Sequence, residues 1–311
     1  MTRAGRIALG AAFAVGAAIA SPTATVRQGT LSRFVLASIV DAEGQPVVGL
    51  TADDFIVRER GTACDTLNAW PAQYPIAVLV DTTQAARADF IRLSMAIRQF
   101  VDRLSGRDIA LYTFGDRATR VVDFTRDPAK LRRSVDGLFA RPDGESHVLD
   151  AIIEAAKDLQ KRETAVGLIV VVSAGSNDQS SRSPREVLEP VVASRSIVHV
   201  VEMRTPRASG RLNNPRGRRT ATTDRAAEAA LGLEELLRAT ADRTRGRYDL
   251  IYSSSGYFSL LDDLQRQLAS EVVIEYLAPA NDGVRPQLQL GARLPGVTVR
   301  GMGLDRAPRD R

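Results

Sequence analysis

In 311 residues the chain has a single cysteine, Cys64, and only two histidines, His147 and His199. One cysteine excludes an internal disulfide framework and a cysteine-based zinc site, leaving the thiol as a small buried group or a link to another chain. Two histidines, one of them inside an apolar run, argue against a histidine metal site. Aromatic residues make up only 5%. The core must therefore come from Val, Ile, Leu and Ala, which suits strands covered by helices better than an aromatic-rich sandwich or a stacking surface. Long hydrophobic runs are also missing. Ile7 to Ala20 is an Ala/Gly-rich stretch of about 14 residues, short of the roughly 20 that span a bilayer, and no other stretch is long enough. No period of 20 to 50 residues recurs, which excludes a solenoid.

What the chain does have is ordinary globular composition, 44% hydrophobic and 25% charged. Arg3 and Arg6 precede the apolar run, and Ala18-Ile19-Ala20 offers small residues for cleavage before Ser21. This pattern predicts a signal peptide over residues 1–20 and an exported product, periplasmic or secreted, with no transmembrane segment once the leader is removed. The formal charge is +5, yet residues 204–220 alone hold six arginines and no acid. Basicity is thus confined to one loop insertion, set at residues 204–225. Its Arg207, Arg211, Arg216, Arg218 and Arg219 read either as a patch for an anionic partner or as a solvated insertion. The interspersed Pro206, Gly210, Pro215 and Gly217 and the absence of aromatics favour the second reading. Together with export they argue against nucleic acid.

Residues 21–72 read as a strand-rich lead-in. Leu31–Val40 is strand-like, Asp41–Gly44 a turn, and Asp54–Gly61 alternates. Residues 73–270 alternate strand and helix. Pro75–Asp81, Gly167–Gly175 and Ser196–Met203 are continuous apolar runs of the kind that form central parallel strands buried on both faces. Between them, Phe90–Leu104, a helix capped by Asp127-Pro128, and Val148–Leu159 carry apolar residues at helical spacing. Ser183-Pro184-Arg185-Glu186 is a capping box, and Pro190 is expected to kink or shorten the helix it opens. Residues 271–311 return to extended segments. The fold class is therefore α/β, a doubly wound and mostly parallel sheet flanked by β segments that pack together.

In such a sheet ligands bind beyond the carboxyl ends of the strands. Three loops reach that edge: Asp81–Ala85, Gly144–Ala151 and Ser173–Asp178. In order and spacing they resemble the metal-ion-dependent adhesion site of von Willebrand factor A-type domains. There the first loop reads Asp-x-Ser-x-Ser, the second carries a Thr just before a helix, and the third ends in an Asp. Asp81 stands at the leading Asp, Thr83 at the first Ser and Ser146 at the Thr, followed by a matching Leu149-Asp150-Ala151. Ala85 replaces the second Ser and Ala174 the final Asp. The lead-in DAEGQPVVGLTADDFIVRERG and the closing segments resemble a bacterial exported group of these proteins. The resemblance implies a Rossmann-like fold, a protein-binding role and a Mg²⁺ or Mn²⁺ site. The departures leave one carboxylate and two hydroxyls for an ion that wants six oxygens, so Asp81, Thr83 and Ser146 would hold it weakly. Asp178, Asp143 or Glu145 could compensate.

Without a metal, Asp81 reads as a carboxylate that caps a helix or accepts backbone donors. Ser146, His147 and Asp150 sit at spacings that do not form a triad relay. The sequence thus predicts a non-enzymatic, metal-independent interaction module for an unknown protein partner, with Asp81, Thr83, Ser146 and Asp178 at the binding edge. A metal-dependent adhesion module with a rebuilt site and a secreted hydrolase are the alternatives.

Overall fold

The computed structural model of the chain describes residues 30–204, 221–280, 287–304 and 307–308, with the backbone alone over 221–227. The proposed leader and all five arginines from Arg207 to Arg219 lie outside the described residues. Among those described, no helix is long and apolar enough to cross a membrane.

Two six-stranded sheets share one molecule. The first uses both flanks of the chain: β1 (Thr30–Val40), β2 (Phe55–Glu59) and β3 (Thr62–Pro71) from the start, β10 (Val272–Pro279), β11 (Leu288–Ala292) and β12 (Thr298–Leu304) from the end. They run antiparallel in the order β11-β2-β3-β10-β1-β12. The sheet curls until its edge strands β11 and β12 lie against each other. Inside the curl sit Val35, Ile39, Phe55, Val57, Ile274 and Tyr276. The alternation along β2 follows from this: Phe55, Val57 and Glu59 are buried and Ile56 and Arg58 exposed. Buried Glu59 is matched by Arg33 at 3.1 Å and by the Tyr276 hydroxyl at 2.7 Å.

The second sheet comprises β4 (Ile76–Val80), β5 (Ile109–Thr113), β6 (Thr119–Thr125), β7 (Gly167–Ser173), β8 (Ser196–Met203) and β9 (Tyr248–Ile251). Its order is β6-β5-β4-β7-β8-β9, parallel except for the β5–β6 hairpin. Every residue of β4, β5, β7 and β8 is buried, because helices cover both faces. Ile76, Val78 and Val80 point to α1 (Phe90–Arg103), α2 (Pro128–Asp136) and the last helix, Gly256–Ser270. Ala77 and Leu79 point to α3 (Val148–Lys161), α4 (Pro184–Ala193) and α5 (Ala221–Arg243). The last helix, α6, joins Phe34 and Leu36 of β1 and Val273 of β10 in the first of these cores, which locks the two sheets together.

Local signals in the sequence account for most boundaries. Asp127 accepts the Ala129 and Lys130 amides and starts α2, and Ser183 and Glu186 close the capping box of α4. Pro190 does not break α4, which continues to Ala193. The ring removes one hydrogen bond, and buried Val187 and Val191 on either side keep the turn against the sheet.

Candidate functional site

β4 ends at Asp81, whose backbone N–H is still held by the Val172 carbonyl at 3.0 Å. Its side chain is fully buried. Oδ1 accepts the Thr83 amide at 2.9 Å and the Thr83 hydroxyl at 2.6 Å. Oδ2 accepts the Ala174 amide at 2.8 Å, the Ser176 hydroxyl at 3.2 Å and, more distantly, the Ser173 hydroxyl at 3.4 Å. Burial pushes the carboxyl above its ordinary value, against the opposing pull of the donors from Thr83, Ala174 and Ser176. The carboxylate thus ties the loop after β4 to the loop after β7.

The surrounding loops are stitched to each other by backbone. Arg141 donates to the Thr82 carbonyl at 2.9 Å, Gln84 to Gly144 at 3.0 Å, His147 to Phe114 at 2.8 Å, and Gln179 to Ser146 at 2.7 Å. Thr82 Oγ1 accepts the Gly115 amide at 3.2 Å. Two glycines permit this closeness. A Cβ on Gly115 would stand 2.7 Å from Thr82 Oγ1, and one on Gly175 would stand 2.5 Å from the Met203 carbonyl, at a φ of +77°. Tyr257 of α6 donates its hydroxyl to the Ser173 carbonyl at 2.8 Å and braces the third loop from beneath.

Of the residues singled out by sequence, Asp81 and Thr83 are joined directly. Ser146 is bridged by backbone to Gly115 and Asp178, and its buried Oγ has no hydrogen-bond partner. Asp178 turns away from Asp81 towards the start of α3. Its Oδ1 accepts the Leu149 amide at 3.3 Å, and its oxygens accept the Ser180 amide at 3.0 Å and hydroxyl at 2.9 Å. It caps α3 from another loop, where His147 at the N-cap makes no side-chain cap bond. Burial raises the Asp178 carboxyl. Asp143 and Glu145 are exposed. Ser173, Ser176 and Tyr257 complete the constellation without having been singled out. Their only signal in the sequence is a hydroxyl near the end of an apolar strand or at a helix start.

Octahedral coordination of Mg²⁺ needs six oxygens, and a carboxylate offers about four lone-pair sites. Here the one carboxylate at the edge already accepts hydrogen bonds on both oxygens, Ala85 and Ala174 offer no side-chain oxygen, and Ser146 Oγ is the single unengaged ligand atom of the set. Among the described residues no group of three or more His, Cys, Asp or Glu could hold an ion. The side chains present do not fit a divalent cation. Nor do they assemble a nucleophile and base, because His147 Nδ1 meets Asp150 at 3.6 Å and Ser146 Oγ meets neither.

Beside this edge a groove of about 510 Å³ runs along Thr82, Gly115 and Asp116 to Val121, Phe139 and Arg141. Phe139 is 64% exposed, with the Arg141 guanidinium over its ring and Arg141 also paired to Asp116 at 2.8 Å.

Residues 76–177 match the family model of the von Willebrand factor type A domain. No curated protein matches the chain. Among solved structures, a von Willebrand factor type A protein from Catenulispora acidiphila is 12% identical, with 89% of this chain and 74% of that one covered and a TM-score of 0.49. BatB from Bacteroides thetaiotaomicron is 14% identical over 62% of this chain and 98% of its own, at a TM-score of 0.46. Proximal thread matrix protein 1 of the mussel byssus is 14% identical over 70% of this chain, which spans about half (49%) of that protein, at 0.48. The matched stretch holds β4, β5, β6, β7 and the loops at the edge as far as residue 177, so this part of the chain is a von Willebrand factor type A domain.

Proposed function

We propose that this protein is an exported, non-enzymatic interaction module. It takes a protein partner at the carboxyl edge of the parallel sheet and needs no divalent ion to do so. The observation that carries the reading is the state of Asp81: the carboxylate that would face an ion is spent on the chain's own donors. It makes the edge a pre-formed platform rather than a metal-completed one. Rigid loops lower the ordering cost of association. The groove ending in Phe139 supplies an exposed aromatic of the kind that anchors interfaces.

The test is capture of partners by the whole protein with and without chelator, alongside Phe139→Ala and Glu145→Lys, both exposed positions at the edge. The reading expects capture to survive chelation and to fall with either substitution. Capture lost on chelation, together with a Mg²⁺-dependent rise in Tm that Asp81→Asn abolishes, would establish the metal-dependent alternative instead. Capture indifferent to both substitutions would remove the edge as the interface.

A further inference from the structure

The row of β1 that faces the α/β half of the molecule reads Phe34, Leu36, Ser38 and Val40, and its register pairs Leu36 with Met302 and Ser38 with Arg300 of β12. Leu36 and Met302 pack on the core, whereas the next pair is polar. There the antiparallel sheet parts from β8 and α6, and a cleft of about 630 Å³ opens away from the Asp81 edge. That is the size of a small-ligand site, roughly 300–1,000 Å³.

Its walls are rich in donors. Arg245, Arg247, Arg266 and Arg300 all line it. Two of the four are matched, Arg247 to Asp249 at 3.1 Å and Arg266 to Asp263. Arg245 gives one N–H to the Gly301 carbonyl at 3.0 Å and meets no carboxylate among the described residues. The Arg300 side chain, on a residue paired through the β12 backbone with Ser38, has neither a hydrogen bond nor an ion pair among the described residues. The remaining acid of the wall, Glu271, is occupied by the Tyr74 hydroxyl and by Gln267.

The back of the cleft is His199, on the face of β8 that otherwise carries Ile197, Val201 and Met203. It is only 4% exposed. Nδ1 accepts the Arg247 amide at 3.1 Å, which places the ring proton on Nε2, and Nε2–H finds no acceptor among the described residues. An imidazole stands where an aliphatic side chain would fill the core, its donor uncommitted in a cleft that Arg245 and Arg300, neither paired to a carboxylate among the described residues, also line.

Donors without acceptors in a concave site select an oxyanion. We propose that this cleft binds a small oxyanion-bearing ligand, a carboxylate or a phosphate, with Arg245 and Arg300 gripping its oxygens and His199 Nε2–H donating from behind. The inference is independent of the partner-binding edge.

The experiment is thermal unfolding and calorimetric titration of the whole protein with phosphate, citrate and acetate, at constant ionic strength set with chloride. A saturable rise in Tm is expected with at least one probe, since a ligand that binds only the folded state stabilises it. Phosphate alone would mark a phosphate ligand, and citrate or acetate alone a carboxylate. Arg300→Ala should weaken binding about tenfold, the loss of one charge-assisted contact, and Arg300→Glu more. Arg58→Ala, an exposed arginine on the outside of the curled sheet, should leave it unchanged. Arg245→Gln gives a second reading from the opposite wall. No saturable shift with any probe, or Arg300→Glu binding as tightly as the unaltered protein, would overturn the proposal.

Discussion

His199 offers the sharpest test of the packing between the two sheets. Burial, assisted by the nearby Arg247 charge, lowers its ring from 6.5 to about 4. The unfolded chain takes up a proton from about pH 6.5 downwards, and the folded protein resists until about pH 4. In that window the unfolded state binds more protons, so stability falls as the pH is lowered and the loss is complete below pH 4. A gap of this size is worth about 3 kcal/mol. Carboxylates titrate in the same range, so the assay must isolate one group. Urea unfolding at a series of pH values is compared between the protein and His199→Gln, whose amide oxygen can still accept the Arg247 N–H. The substitution has its own constant cost, and the quantity of interest is how the difference between the two proteins changes with pH. That difference should narrow by about 3 kcal/mol between pH 7 and pH 4. With only two histidines in the chain, ring NMR signals can be assigned through a His147→Gln variant and the titration followed directly. Parallel pH profiles, or a His199 midpoint above 6, would refute the burial of this ring at the back of the cleft.

Asp81→Ala should cost about 3 kcal/mol in denaturant unfolding, because it strands the buried Thr83 and Ala174 amides, and added Mg²⁺ should change neither protein's Tm. Gly175→Ala combines a Cβ 2.5 Å from the Met203 carbonyl with a φ of +77°. A loss of about 2 kcal/mol or more is expected, and a neutral result would show that the third loop is not pinned to β8. Asp178→Ala removes the cap that α3 borrows from another loop and should lower stability by about 1 kcal/mol, with faster amide exchange confined to Leu149 and its neighbours.

The parallel half of the molecule was readable because burial on both faces leaves runs such as Gly167–Ser173 with no polar interruption, and because caps at Asp127 and Ser183 use side chains with a known task. β3 was not separable from its surroundings. Its residues Thr62–Pro71 alternate only loosely between exposed and half-buried, and its strongest pairing is with β10, some two hundred residues later, which no local pattern records. At the site the contrast is between position and engagement. Asp81 stands at the end of an apolar strand as its sequence context implies, but two of its donors are backbone N–H groups, at Thr83 and Ala174, and any residue carries one of those. Asp178 shows the same limit: a carboxylate three residues beyond a loop glycine suits a ligand as well as a cap, and its engagement with the Leu149 amide depends on the approach of α3, which no local pattern records.

The strand order of the curled sheet also has a kinetic side. Among the described strands β1 pairs only with β10 and β12, apart from a local bridge of Val40 to Pro46. β1, the first of the described strands to leave the ribosome, therefore has no strand partner among them until residues 272–304 have followed it. The α/β core can close on local βαβ units before then, while β1 waits on some of the longest loop closures the chain makes. Its apolar residues, Phe34 to Ala37 among them, spend that interval uncovered. A holding factor acting on this protein would find its binding site there, and β10 and β12 are the strands whose pairing would release it.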